Sequence, residues 1–144
     1  MTNKYPYMLP GQTQFIDAMK LNGIKKSTRV IFYDTQDGYW ATRCYWQLRT
    51  YGHENASVLN GGYRKWVAEG RRVEQTPGFE SGASSDDFNY QFKPELYRTF
   101  EQIVQLSSDI KKKLTKEQLS DARPIASYNA GHIDEAIDNW WKNL

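Results

Sequence analysis

Apolar residues Phe15, Ile16 and Met19 recur at the spacing of one helix face, with Thr13 placed to cap the start and Gly23 to close the end. The next run, Arg29-Val30-Ile31-Phe32-Tyr33-Asp34, is a short continuous apolar stretch between polar turns. That character predicts a strand buried on both faces, as in a parallel sheet. From Trp40 the period becomes helical again: Ala41, Cys44, Tyr45, Leu48 and Tyr51 share a face, and Gly52 supplies the stop. Ser57-Val58-Leu59 predicts a second short strand, ended by Asn60-Gly61-Gly62. Tyr63, Trp66 and Val67 then predict a short helix closed by Gly70. Strand, helix, strand, helix in this rhythm predicts an α/β protein with a parallel sheet and right-handed crossovers.

The pattern breaks near Val73. Residues 73–96, with Ser81-Gly82-Ala83-Ser84-Ser85-Asp86-Asp87 at their centre, have linker composition. They separate a first segment, 1–72, from a last one, 97–144. In the last segment Thr99-Phe100-Glu101-Gln102 has the form of a capping box, opening a helix that carries Ile103, Val104 and Leu106. A weak strand is expected over 118–123, and an apolar stretch follows at Ala136-Ile137. No repeat of fixed period is present.

Composition narrows the function classes. At 144 residues, 39% apolar and 25% charged, the chain reads as a globular protein long enough to bury one core. A net charge of +2 is too mild for a nucleic-acid surface. The Lys111-Lys112-Lys113 run is expected as a solvated helix end. No apolar stretch approaches the length of a membrane helix, and Met1-Thr2-Asn3-Lys4-Tyr5-Pro6 has neither an apolar signal core nor an Arg-rich presequence. With Cys44 the single cysteine, an intramolecular disulfide is excluded and a reducing compartment is the natural expectation. The aromatic share of 15% is high for so polar a chain, so rings such as Trp140-Trp141 are expected against a partner.

Several pieces together resemble one family. Met8-Leu9-Pro10, the strand ending at Asp34, Trp46-Gln47-Leu48-Arg49-Thr50-Tyr51-Gly52-His53, Ser57-Val58-Leu59-Asn60-Gly61-Gly62, Lys65-Trp66 and Glu69-Gly70 are similar to the rhodanese-type sulfurtransferases with two tandem domains. Tyr97-Arg98-Thr99-Phe100-Glu101-Gln102, Asp121-Ala122-Arg123 and Gly131-His132-Ile133 resemble the opening of that family's second domain. The resemblance thus covers the second half of one lobe and the first half of the next. It implies a rhodanese-like parallel sheet flanked by helices. Because the two halves hold every element of one domain in rotated order, a single circularly permuted domain is expected, strapped by the linker. The chain departs from the family at Asp134-Glu135, where the family usually has Pro-Gly.

Active members of the family place a cysteine thiolate at the strand end, before a helix whose amides cradle the anion. Helix N-termini offer unpaired N–H groups and positive potential, which favour anions and lower thiol pKa. Here the loop is Asp34, Thr35, Gln36, Asp37 and Gly38, and the resemblance puts Asp34 at the nucleophile position. The first lobe of the tandem enzymes looks similar in lacking the thiol. A carboxylate cannot carry a persulfide, and Asp34 and Asp37 are expected to fill the amide cradle themselves. Catalytic residues are therefore expected to be absent and the loop vestigial. Cys44, on an apolar helix face, is expected to pack rather than react. His53 is expected as a cap or a solvent-facing side chain, and His132 as part of a structural turn. Neither has metal-site spacing, so no metal and no cofactor is expected. Asp121 and Arg123 are placed for a local ion pair beside a vestigial pocket.

The resulting expectation is a catalytically inactive rhodanese-like protein, a structural or accessory subunit whose partners are other protein subunits of an assembly. It would bind no nucleic acid and span no membrane. The family's usual location suggests the mitochondrion, with the cytoplasm as the alternative. A competing class is a working sulfurtransferase, moving sulfur from thiosulfate or 3-mercaptopyruvate to a thiol acceptor through Cys44 or another polypeptide's cysteine. A third is an anion-sensing module, which Asp34 and Asp37 disfavour.

Overall fold

The computed structural model describes residues 8–76 and 90–138. The expectations for Met1–Pro6, Ser81–Asp87 and Trp140-Trp141 lie outside the described residues. The chain divides into two compact units, Met1–Tyr97 and Arg98–Leu144.

In the first unit α1 spans Gln12–Leu21 and buries Phe15 and Met19, the face that the spacing indicates. Its N-cap is Gly11 and not Thr13: the Gln14 side chain reaches back and accepts from the Gly11 N–H at 3.1 Å. β1 (Val30–Phe32) pairs in parallel with β2 (Ala56–Val58), with Val30 opposite Ala56 and Phe32 opposite Val58. The crossover between them is α2, Tyr39–Thr50, and α3, Gly62–Ala68, follows β2. Parallel neighbours need such a crossover, so the predicted alternation and the observed pairing are one fact.

The core lies on one side of this sheet. Phe15, Met19, Leu48, Tyr51 and Tyr90 are buried together, with Val30, Phe32 and Ala56 packed against them. The Phe15 and Tyr51 rings stack at 4.3 Å, and Tyr90 meets Phe15 edge-on at 5.4 Å. The strand expected to be buried on both faces is not: Ile31 is 55% exposed. Helices α1 and α2 supply the apolar cover for Val30 and Phe32, while among the described residues nothing closes over Ile31.

The end of the expected linker is structural. Tyr90 sits in the core, the Lys93 N–H donates to the Thr50 carbonyl at 2.8 Å, and the Trp46 indole N–H donates to the Leu96 carbonyl at 2.9 Å. A 3-10 turn at Pro94–Leu96 follows this docking. Gly52 makes the close approach workable. It has φ +80°, and a Cβ there would stand 2.7 Å from the Gln91 carbonyl oxygen.

In the second unit α4 spans Phe100–Lys111 with the capping box that its sequence promises: Thr99 Oγ1 accepts from the Gln102 N–H, and the Gln102 side chain accepts from the Thr99 N–H at 2.8 Å. β3 (Leu119–Asp121) pairs in parallel with β4 (Ala136–Asp138), joined by α5, Ile125–Ala130, a helix that the sequence pattern did not indicate. Six residues give too short a periodic signal to read.

Among the described residues each parallel pair forms its own two-stranded sheet, β1 with β2 and β3 with β4. Each pair is closed by its own short crossover. Pairing across the long 73–96 segment would require closing a much longer loop for the same ladder bonds.

The Asp134-Glu135 pair forms the turn into β4. Asp134 holds Lys111, the first of the three lysines at the end of α4, at 2.8 Å, and Glu135 takes φ +65°, a left-handed conformation that disfavours any Cβ. Glu135→Gly is therefore expected to stabilise the second unit by about 0.5–1 kcal/mol, read as a higher urea midpoint at unchanged slope. An unchanged or lower midpoint would contradict the strain.

Candidate functional site

The loop from β1 to α2 begins at Asp34, and the backbone there is pinned. The Asp34 carbonyl accepts from the Tyr63 N–H at 2.9 Å, and Gly62, at φ +55°, approaches so closely that a Cβ would stand 2.8 Å from the Asp34 oxygen. The Gly61-Gly62 turn thus serves to bring α3 against the end of β1.

So anchored, the Asp34 side chain lies under its own loop. Oδ1 accepts from the backbone N–H groups of Gln36 and Gly38, both at 2.9 Å. Oδ2 accepts from those of Trp40 and Ala41, both at 2.8 Å. A helix leaves its first amides without intrahelical partners. The α2 N-cap, Gly38 at φ +92°, has no side chain to serve them, and the Tyr39 N–H is taken by the Gln36 carbonyl at 3.2 Å. Asp34 therefore caps α2 from four residues upstream and completes the hydrogen bonding of the turn.

The electrostatics follow. The Asp34 carboxyl is held below the usual carboxylate range, chiefly by the Ala41 amide and further by those of Gly38, Gln36 and Trp40, against a partial burial that opposes them. Both carboxylate oxygens are engaged. An external anion would have to displace this side chain and would meet its charge on approach.

The rest of the loop differs from expectation. Asp37 does not help fill the cradle. It stands at φ +56°, is largely exposed, and pairs with Arg64 at 3.3 Å. Thr35 is exposed, and Gln36 contributes its backbone alone. The sequence reading missed the part that Ala41 and Tyr63 play, because it is played by backbone groups that carry no side-chain signature.

Cys44 sits within α2, half-buried, three residues beyond the last nest amide. Its own N–H belongs to the helix ladder, so the donors that would activate a thiolate at the helix start are not directed at it. His53 is not solvent-facing. It is fully buried, and its Nε2–H donates to the Thr28 carbonyl at 3.0 Å, tying the approach to β1 to the end of α2. His132 stacks flat on Tyr128 at 3.8 Å and hydrogen-bonds the Tyr128 carbonyl, a structural turn as expected. Among the described residues no group of His, Cys, Asp and Glu could hold a metal ion, and no helix is long and apolar enough to cross a membrane.

Asp121 and Arg123 form the expected ion pair at the end of β3. Arg123 Nε lies 2.9 Å from both carboxylate oxygens, its Nη2 also donates to the Gly131 carbonyl, and the pairing lowers the Asp121 pKa to about 2. An open cleft of about 510 Å³ lies over these residues and His132. The guanidinium is already committed to Asp121, so the cleft presents little net charge.

Residues 2–69 match the family described as the rhodanese-like domain. Thiosulfate sulfurtransferase of Gallus gallus is 31% identical over 140 residues, covering 96% of this chain and 46% of the relative. Over this segment the chain is similar to the rhodanese-like family. Thiosulfate sulfurtransferase of Bos taurus is 34% identical over 154 residues, covering 97% of this chain and 49% of the relative. The 3-mercaptopyruvate sulfurtransferase of Escherichia coli strain K12 is 31% identical over 157 residues, covering 99% and 52%. The chain thus spans about half the length of the curated relatives it matches. The family match ends at residue 69, yet the compact first unit runs to Tyr97, so the docked segment from Tyr90 is part of that folded unit.

Proposed function

We propose that the first unit is a catalytically silent rhodanese-like domain that acts as a structural or accessory element for other polypeptides. One observation carries the reading: the carboxylate of Asp34 takes four amides of the loop and the first turn of α2, those of Gln36, Gly38, Trp40 and Ala41, at the position where sulfur transfer needs a thiolate and room for an anion. Sulfur transfer from thiosulfate requires a nucleophilic sulfur to receive the sulfane atom. The chain's single thiol lies outside the nest, inside a helix.

Incubation with thiosulfate and cyanide is expected to give no thiocyanate above the protein-free blank, and Cys44→Ser is expected to change nothing. Intact mass spectrometry after thiosulfate treatment checks the same point: an added sulfur atom on Cys44 would overturn the silent assignment.

An accessory role is supported by the uncovered side of the β1–β2 sheet, where Ile31, Tyr33 and Val73 are each well exposed and Tyr63 and Trp66 partly so. Clustered apolar exposure of this kind is characteristic of surfaces that meet another chain. Pull-down from the native source followed by size analysis is expected to recover the protein in a larger species with defined stoichiometry. Recovery as a free, stable monomer would remove the accessory role and leave the silent site standing.

A further inference from the structure

We draw no further inference here: the strongest candidate, the apolar groove on the open face of the β1–β2 sheet walled by Ile31, Tyr33, Tyr63, Trp66 and Val73, carries nothing because nothing in the structure shows what covers it.

Discussion

Asp34→Ala is expected to lower the melting temperature by more than about 5 °C, because the change removes one side chain but strands four amides. Gly38 cannot substitute as a cap, and the β1–α2 loop would lose the link that fixes it to the sheet. Asn is no rescue. Its amide nitrogen would face two N–H donors, so Asp34→Asn should lose nearly as much as Asp34→Ala. The pH dependence supplies a signature that a generic core lesion lacks. Because the folded-state pKa of Asp34 is lowered, its stabilisation is complete above the ordinary carboxyl pKa and is lost as pH falls through the folded value. The gap in stability between wild type and Asp34→Ala should therefore be widest near neutrality and close in acid. A gap independent of pH between neutrality and strong acid would refute the capping role. Asp34→Cys completes the series. A thiol over the same amides is expected to react with a thiol reagent near neutral pH much faster than Cys44 does in the wild type.

Tyr90→Ala should cost about 3 kcal/mol or more in urea-induced unfolding of the first unit. The ring is 4% exposed and meets Phe15 edge-on, in a cluster that depends on a handful of buried side chains. Its removal would leave a ring-sized void beside Phe15 and His53 that the stacked Phe15–Tyr51 pair cannot relax to fill. The same reasoning expects a protein truncated after Thr76 to lose cooperative unfolding, although it retains the whole family-matched segment. A loss below about 1 kcal/mol for Tyr90→Ala would mean that the docked segment is only draped on the surface.

Much of the fold was legible because its signals are local. Phe15 and Met19 mark the buried face of α1, and Leu48 and Tyr51 mark that of α2 and its cap, since helical spacing puts them on one side whatever lies beyond. The Thr99–Gln102 box works for the same reason: both of its hydrogen bonds fall within one turn. The readings that failed depend on distant partners. Ile31 looks like a core residue, but only a second covering layer could bury it. Tyr90 sits in linker-like sequence with no periodicity, and its burial comes from contact with α1 and α2. His53 follows a helix-ending glycine, a surface-like context, yet the Thr28 carbonyl reaches it from another segment.

By itself the sequence determined the α/β class, the buried faces of the main helices and the acidic residue at the end of the first strand, because spacing, turn glycines and residue chemistry are properties of neighbouring positions. Tertiary structure alone decided which strands pair, that residues at the end of the linker complete the first core, and that Asp34 and not Asp37 takes the amides. Hydrogen-bond donors of the main chain are the same at every residue; only the path of the backbone, with Asp37 and Gly38 at positive φ, decides which of them converge on one carboxylate.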